Sequence, residues 1–267
     1  MNEFSLAGRV AIVTGAAGLL GQRHCHALAN AGAVVYACDN HAAASQALAE
    51  QLGPAHAGAF VDVTDGESIT ELRDTVISEH GRIDILVNNA AINDAVESPI
   101  SQASHSAFEN YPVALFRKVM DVNVTGSFLM SQIIGSSMAQ SGKGAIINVA
   151  STYGVVAPDQ RLYQNENGVQ QMYKSAAYPA SKGAVIMLTK FMATYWAGQG
   201  VRVNTLSPGG VQNNQPDVFI EKYSQRTPMG RMAAPGDYEG ALVFLASDAS
   251  AYMTGHNLIV DGGWTAW

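Results

Sequence analysis

The segment YPASK, residues 178 to 182, places a tyrosine and a lysine four positions apart. Pro179 lacks a backbone donor and belongs in the first turn of a helix, so Tyr178 lies near the helix start and Lys182 one turn later on the same face. A free phenol has a pKa near 10, so a tyrosine that exchanges protons near neutrality needs its anion stabilised by about 3 pKa units, or roughly 4 kcal/mol. A neighbouring ammonium could supply part of that stabilisation. The pair has the chemistry of a proton-transfer site, although YxxxK also arises by chance.

A glycine-rich turn, TGAAGLLG at residues 14 to 21, directly follows the apolar segment RVAIVT and precedes a helical pattern. Gly15, Gly18 and Gly21 allow a tight turn and a close approach of a pyrophosphate to the helix N-terminus. Free N–H groups and the helix dipole favour anions there. The alternative is an ordinary strand-to-helix connection. In this context the turn predicts a dinucleotide phosphate site.

Asp39 ends the second apolar segment, 24 residues beyond Gly15 (39 − 15). This separation is close to the roughly 20 residues expected for a carboxylate that hydrogen-bonds the adenosine ribose. A carboxylate there repels a 2′-phosphate, and neither Ala17 nor Asn40 supplies a compensating cation. Asp39 therefore favours NAD over NADP, and the alternative is a surface aspartate that merely ends a strand.

The elements that must position these groups are short apolar runs that alternate with helical patterns. The candidate strands are RVAIVT (9–14), AVVYAC (33–38), AGAFVDV (57–63), IDILVN (83–88), AIINVA (145–150), VRVNTL (201–206) and NLIVD (257–261). Near-continuous apolar strands with helical crossovers indicate a parallel sheet covered on both faces. We expect a single-domain α/β fold over residues 1–267, a doubly wound, Rossmann-like parallel sheet of about seven strands with helices on both faces.

Two stretches look irregular, residues 93–112 and the Gln- and Asn-rich residues 157–175. Loops of this length in a compact domain are usually functional or disordered. Ser151 follows the fifth strand, at the carboxyl edge where doubly wound sheets bind ligands. A serine there is otherwise a cap or a turn residue.

Composition narrows the class of protein. A formal net charge of −7 opposes nucleic acids and anionic membranes as partners. Charged residues make up 14% of the chain, below the roughly 25% of typical domains, which suggests surface covered by partner subunits. The N-terminal segment lacks a charged and then apolar leader pattern, and no run reaches about 18 apolar residues. We expect a soluble, cytoplasmic protein whose two cysteines, Cys25 and Cys38, are buried and reduced, with no metal-ligand spacing.

Six motifs occur in the order and approximate spacing of one known family. They are TGAAGLLG, NNAA (88–91), NVAS (148–151), YPASK, SPGG (207–210) and TGHNLIVDGG (254–263). Over almost its whole length the chain resembles the short-chain dehydrogenase/reductase family. The resemblance implies that Tyr178 is the acid/base, Lys182 its electrostatic partner and a ligand of the cofactor ribose, and Ser151 the group that polarises the substrate oxygen. It also implies that Asn123, in DVNVTG, supports a water relay.

The same resemblance implies a nicotinamide dinucleotide cofactor, which Asp39 indicates is NAD, and we expect no metal. Members of this family commonly form tetramers, and the low charged fraction agrees, so we expect a homotetramer, with a dimer as the alternative. The residues expected to contact the cofactor are Gly15, Gly18, Leu19, Leu20, Gly21, Asp39, Asp62, Val63, Asn89, Tyr178, Lys182, Pro208, Gly209, Val211 and Asn213.

The departures from the family pattern are informative. Leu19 stands where the second glycine is usual, and the resulting GxxGxxG resembles the extended branch that acts on nucleotide sugars. The chain length and the VDGG ending oppose that branch. Ala91 replaces a glycine. Asn213 stands where the family commonly uses threonine to hold the nicotinamide carboxamide, and an amide can make a similar hydrogen bond.

The substrate is less defined than the reaction. The lengthened loops and the amide-rich VQNNQPD (211–217) could bind a polyhydroxylated molecule. The segments APDQRLYQ, SPGGVQNNQPDVF, PMGRM and TGHNLIVDGGWTAW are also similar to oxidoreductases of bacterial surface-glycan and flagellin-modification pathways. We expect alcohol/ketone interconversion on a sugar or nucleotide-sugar derivative. A 3-oxoacyl thioester or a small cyclic ketone is the alternative substrate.

A hypothesis of another class is a non-catalytic dinucleotide-binding regulator, because fold alone does not establish function. Loss of the tyrosine or the lysine would mark such a protein, and both are present here.

The C-terminal segment GGWTAW has two tryptophans in its last four residues. Trp is enriched at interfaces and chain termini are normally polar, so we expect Trp264 and Trp267 to pack against a neighbouring subunit. Closure of their own subunit's core is the alternative.

Overall fold

The sheet is parallel throughout and has seven strands, as the apolar segments predict. A computed structural model describes residues 3–94 and 106–267, so the predicted irregular stretch 93–112 lies largely outside the described residues. The strands are β1 (Val10–Thr14), β2 (Val34–Asp39), β3 (Ala57–Phe60), β4 (Ile85–Asn88), β5 (Gly144–Val149), β6 (Val201–Pro208) and β7 (Asn257–Val260).

The strand order is β3-β2-β1-β4-β5-β6-β7, so the chain reverses its direction of travel between β1 and β4. The register of β1 pairs Val13 with Ala37 on one side and with Val87 on the other. In doubly wound sheets the crevice at this reversal, beyond the carboxyl ends of the strands, is where ligands bind.

Helices cover both faces of the sheet because strand side chains alternate in direction and both faces are apolar. The helices are α1 (Leu19–Asn30), α2 (Ala42–Leu52), α3 (Gly66–His80), α4 (113–141), α5 (Ala177–Trp196), α6 (Asp217–Arg226) and α7 (Glu239–Ala246). Ala11 and Val13 pack with α1, α2 and α7, whereas Val10 and Ile12 pack with α3, α4 and α5. The doubly wound prediction is confirmed.

The helical segment α4 contains two wide turns. Its α-helical parts, Val113–Met120, Ser127–Met130 and Ser136–Ser141, are separated by π-helical turns at Asp121–Gly126 and Ser131–Gly135. Single π-helical turns inside α-helices are frequent at functional sites. The first of these turns holds Asn123.

Every predicted strand is present, but the end of one was placed three residues too late. β3 stops at Phe60, not at residue 63. Asp62 instead starts a turn, in which its Oδ1 accepts from the backbone N–H and the hydroxyl of Thr64 at 2.9 and 2.7 Å. Asp62 and Val63 therefore lie in a loop at the carboxyl edge of the sheet.

The amide-rich loop, residues 157–175, is irregular as predicted but is anchored at both ends. It contains a short 3₁₀ turn, Gln160–Tyr163, and an isolated bridge between Gln164 and Gln170. Asp159 forms ion pairs with Arg161 and Arg226, and these hydrogen-bonded cations lower the pKa of its carboxyl to about 2. Because Arg226 belongs to α6, the ion pair between Asp159 and Arg226 holds the loop against that helix.

The interface prediction for Trp264 is wrong. Its side chain is 1% exposed and stacks on Tyr223 of its own subunit, with ring centroids 4.0 Å apart. The guanidinium of Arg226 lies 4.7 Å from the Trp264 ring, a cation–π distance. Trp267 is exposed, and its indole N–H donates to the carbonyl of Arg226, so its interface role stays a prediction.

The cysteine prediction is confirmed, because Cys25 and Cys38 are both buried and unpaired. Burial raises the pKa of the Cys25 thiol to about 12 and that of Cys38 well above its ordinary value, so neither is reactive. Across residues 3–94 and 106–267, no helix has the length and apolarity needed to cross a bilayer.

Candidate active site

A cleft of about 1780 Å³ opens at the carboxyl ends of the strands, next to the reversal between β1 and β4. This volume exceeds the roughly 300–1,000 Å³ of common small-ligand pockets, so it has room for a dinucleotide and a substrate together. Every residue predicted to contact the cofactor lines this cleft. Their individual roles stay predictions.

The glycine-rich turn at the start of α1 is held by close backbone packing. A Cβ on Gly21 would lie 2.0 Å from the carbonyl oxygen of Gly15, and Gly15 itself has a φ of 62°. The side-chain amide of Asn89 donates to the carbonyls of Thr14 and Gly15, at 2.9 and 3.0 Å. Glycine is required at positions 15 and 21, because a Cβ on Gly21 would clash with Gly15 and a Cβ on Gly15 would lie 2.7 Å from Ala90 Cα.

The N-terminus of α1 has the features of an anion site. Gly18 at its N-cap offers no side-chain hydrogen bond, and the first turn carries no acidic residue. The first N–H groups of a 12-residue helix are therefore without a capping side chain and lie on the cleft wall beside Leu19 and Leu20. The residues present fit the pyrophosphate of a nicotinamide dinucleotide.

Asp39 lies in the same cleft at the end of β2, as predicted. Its Oδ2 accepts from the backbone N–H of Ala17 at 3.0 Å, and its Oδ1 accepts from that of His41 at 3.2 Å. These bonds fix the carboxylate beside the glycine-rich turn, where an adenosine ribose would be recognised.

Tyr178 and Lys182 occupy the start of α5, beside the end of β5. Tyr178 is the second residue of the helix and Pro179 the third, which confirms the expected first-turn position of the proline. Lys182 is 3% exposed, and its Nζ donates to the carbonyl of Val149 at 2.8 Å and lies 5.6 Å from the Tyr178 ring centroid. Helix spacing thus brings the ammonium to the phenol.

Ser151 completes this group from the turn after β5. Its Oγ accepts from the backbone N–H of Tyr153 at 3.1 Å, which leaves its hydroxyl proton free to be donated. Burial raises the pKa of Tyr178, the hydrogen bond with Ser151 lowers it, and the carboxylate of Asp94 raises it. Burial lowers the pKa of Lys182 to about 8.

Asn123 is buried behind the cleft and does not line it. Its Oδ1 accepts from the backbone N–H of Ile92 at 2.7 Å, and its Nδ2 donates to the Ile92 carbonyl at 3.1 Å and to Ser181 Oγ at 2.9 Å. The side chain therefore joins the loop after β4 to the helix turn that carries Lys182. The predicted role in a water relay stays a prediction.

Asn213 also lines the cleft and is exposed. Its backbone N–H donates to Gln215 Oε1 at 2.6 Å. A contact between its amide and a nicotinamide carboxamide stays a prediction.

Sequence reasoning missed Lys174. This residue is the last but one of the amide-rich loop and is 6% exposed, and its Nζ lies 4.4 Å from the Tyr178 ring centroid. Its spacing from Tyr178 is four residues, the same as that of Lys182 on the other side. That symmetry was a usable signal, but an irregular loop gives no geometric rule by which spacing predicts contact.

Asp94 was also missed, and it lies just before the undescribed residues 95–105. It accepts from the hydroxyls of Ser175 and Tyr111, both at 2.8 Å. Within the described ranges, no group of three or more His, Cys, Asp or Glu side chains is arranged to hold a metal ion.

Comparisons with known proteins agree with this geometry. A family model described as enoyl-(acyl carrier protein) reductase matches residues 15–265. The chain is 38% identical to a D-threitol dehydrogenase of Mycolicibacterium smegmatis, over 98% of this chain and 95% of that one. It is 39% identical to a galactitol 2-dehydrogenase (L-tagatose-forming) of Cereibacter sphaeroides, over 99% and 98%. It is 36% identical to a 2-dehydro-3-deoxy-D-gluconate 5-dehydrogenase of Bacillus subtilis, over 98% and 97%.

Two solved structures are similar over nearly the whole fold. A short-chain type dehydrogenase/reductase from Mycobacterium marinum has a TM-score of 0.84 at 33% identity, over 100% of this chain and 98% of that one. A gluconate 5-dehydrogenase from Burkholderia cenocepacia, in complex with NADP and tartrate, has a TM-score of 0.86 at 32% identity, over 100% and 98%.

Proposed function

The chain belongs to the short-chain dehydrogenase/reductase family, and we propose that it is a NAD-dependent oxidoreductase that interconverts a secondary alcohol and a ketone on a sugar or polyol derivative. The observation that carries this proposal is the meeting of Ser151, Tyr178 and Lys182 in one cleft beside the anion-binding turn of α1. The sugar and polyol substrates in the names of the three relatives support the substrate class.

The side chains divide the work of the oxidation. Ser151 donates a hydrogen bond to the substrate oxygen, and the Tyr178 phenolate takes the hydroxyl proton. The Lys182 ammonium stabilises that phenolate, and the first turn of α1 and Asp39 would hold the dinucleotide. A nicotinamide dinucleotide bound there would supply the hydride acceptor that oxidation of the alcohol carbon to a ketone needs.

A substrate screen tests this proposal. Purified protein is mixed with NAD and a panel of alditols, aldonates, nucleotide sugars and cyclic alcohols, and NADH formation is followed by absorbance. The reverse direction is assayed with a 3-oxoacyl thioester and a cyclic ketone. Turnover of alditols or sugar derivatives is expected to exceed that of the thioester and the cyclic compounds. Dinucleotide binding without turnover of any compound would instead support the non-catalytic regulator.

NAD should exceed NADP in kcat/KM by at least about tenfold, a difference of 1.4 kcal/mol. The physical reason is repulsion between the fixed Asp39 carboxylate and a 2′-phosphate. Asp39→Asn keeps an oxygen that can accept from the Ala17 N–H and removes the negative charge. This variant should therefore have a lower ratio of kcat/KM for NAD to kcat/KM for NADP. Steady-state kinetics with both dinucleotides give the ratio.

The control for this test is Asp65→Asn, a helix-cap substitution outside the cleft, which should leave the ratio unchanged. The NADP in the Burkholderia cenocepacia complex makes the test necessary, because a relative of this fold accepts the phosphorylated dinucleotide. Equal kcat/KM values in the unsubstituted enzyme would show that Asp39 does not select the cofactor.

We also propose a cytoplasmic homotetramer. The two buried, unpaired cysteines support a reducing compartment. Met187, Phe191 and Tyr195 are 62%, 63% and 64% exposed and recur every four residues, so they form one apolar stripe along α5. A stripe of large exposed apolar side chains on a soluble protein marks an interaction surface.

Phe191→Glu should reduce the mass measured by light scattering to that of a dimer or a monomer, because the charge would be buried at this interface without a partner. Tyr252→Glu is the matched control, since Tyr252 is also exposed but lies outside the stripe. An unchanged four-chain mass in Phe191→Glu would contradict this interface.

A further inference from the structure

Lys174 is a second buried lysine at the catalytic tyrosine. It lines the cleft with Tyr178, and its Nζ is nearer to the Tyr178 ring centroid than that of Lys182, at 4.4 against 5.6 Å. Only one ammonium is needed for the proton transfer described above.

The backbone of Lys174 is fixed. Its N–H donates to Gln160 Oε1 at 2.9 Å, and Gln160 Nε2 donates back to the Lys174 carbonyl at 3.0 Å. The next residue, Ser175, donates to Asp94 at 2.8 Å. These bonds fix the backbone on both sides of the Lys174 side chain, which is 6% exposed and lines the cleft.

Among the described residues, the immediate neighbours of the Lys174 ammonium are the neutral amide of Asn93 and the Tyr178 ring, and neither of them is a carboxylate. The Lys174 Nζ donates to the side-chain oxygen of Asn93, which is neutral. No carboxylate of the described ranges 3–94 and 106–267 lies within 4.0 Å of it. Burial lowers the pKa of Lys174 to about 8, and the more distant Asp94 opposes that fall. A buried ammonium is most stable beside an opposite charge, which a substrate anion would bring.

We propose that Lys174 binds a carboxylate of the substrate, so that the enzyme selects polyhydroxylated acids over neutral polyols of the same carbon skeleton. This inference rests on the proposed function and narrows its substrate class. A single ammonium with amide neighbours suits a carboxylate, whereas a phosphate is usually bound by several donors and cations. The nearness of Lys174 to Tyr178 places that carboxylate a few bonds from the reacting carbon.

Matched acid and alcohol pairs test the inference. The pairs are D-threonate with D-threitol, D-galactonate with galactitol, and D-gluconate with D-glucitol. Oxidation by NAD gives kcat/KM for each compound, and calorimetry on the NADH-bound enzyme gives Kd without turnover. In at least one pair, the acid should have a kcat/KM about tenfold or more above that of its alditol and a Kd about tenfold or more below it. This is the range of a charge-assisted hydrogen bond.

Two variants remove the charge in different ways. Lys174→Met keeps the length of the side chain, and Lys174→Gln keeps a donor for Asn93. Both should reduce the acid-to-alditol ratio at least about tenfold and leave the values for the alditol largely unchanged. Lys190→Met, an exposed lysine of the same helix as Tyr178, is the control and should keep the ratio. Thermal melting checks that each variant is folded.

The outcomes separate this inference from the proposed function. Oxidation of alditols with no preference for any acid would overturn the role of Lys174 and leave the oxidoreductase in place. Acid binding that depends on Lys174, without oxidation of any alcohol, would support the carboxylate site and contradict the proposed function. The role of Lys174 would also be overturned if both Lys174 variants kept the preference for acids. Tighter binding of D-glucitol 6-phosphate than of D-gluconate would overturn it as well. If neither variant folds, the acid-to-alditol ratio of the wild-type enzyme decides whether the inference holds.

Discussion

Tyr178→Phe should lower turnover by about 10²-fold or more while leaving dinucleotide affinity nearly unchanged, the scale of general acid–base contributions. The substitution removes only the hydroxyl, because the ring that lies 4.4 Å from Lys174 Nζ and 5.6 Å from Lys182 Nζ remains. The fold and the glycine-rich turn at the start of α1 should therefore persist. Single-turnover kinetics give the rate of the chemical step, and NADH fluorescence titration gives the affinity.

The control for this variant is Tyr195→Phe, which removes a hydroxyl from an exposed tyrosine of the same helix. It should keep wild-type turnover. Near-normal turnover in Tyr178→Phe would remove Tyr178 from the mechanism, and a parallel loss of dinucleotide affinity would indicate a structural cause instead.

Lys182→Met should impair both turnover and dinucleotide binding, by about 10²-fold and about tenfold respectively. Methionine fills the buried space of the lysine but removes the ammonium that donates to the Val149 carbonyl and faces the Tyr178 phenol. The two losses have different causes, because the family resemblance assigns this lysine to the cofactor ribose as well as to the phenolate.

The pH profile of Lys182→Met gives a further check. The folded pKa of Lys182 is lowered to about 8, so the ammonium is present below that pH and is lost as the pH rises through it. In the proposed mechanism oxidation requires the Tyr178 phenolate, whose pKa is raised by burial. The Lys182 ammonium can favour that anion only below about pH 8, where the lysine is protonated, so oxidation by the wild type should rise with pH up to that range. Without that cation the rise in kcat should move to higher pH.

The matched control for Lys182 is again Lys190→Met, which should keep both the rate and the pH profile. An unchanged profile in Lys182→Met, measured together with an unchanged KM for the dinucleotide, would show that Lys182 acts on neither group.

Much of the site was predictable because its signals are local. Tyr178, Pro179 and Lys182 are within one turn of each other, so helix geometry alone places the ammonium beside the phenol. The turn from Gly15 to Gly21 is also short, and the 2.0 Å approach of a Cβ on Gly21 to Gly15 explains why glycine recurs there. Ser151 followed from the end of an apolar strand in a parallel sheet.

The two errors have different causes, one non-local and one local. Trp264 was expected at an interface, but Tyr223 and Arg226 of α6 cover it within its own subunit. β3 was drawn too long because apolar residues continue to Val63, whereas the side chain of Asp62 turns the backbone. Composition describes how apolar a segment is, and it does not say which surface covers it.

By itself, the sequence determined the seven parallel strands, the glycine-rich turn at the start of α1 and the helix that carries Tyr178 and Lys182. Periodicity, glycine placement and helix spacing act over a few residues, so they can be read along the chain. Only the tertiary structure decided that Asn123 joins Ile92 to Ser181, and that Lys174 reaches the Tyr178 ring from an irregular loop. Those contacts depend on how loops pack against the finished sheet, and no local pattern encodes that packing.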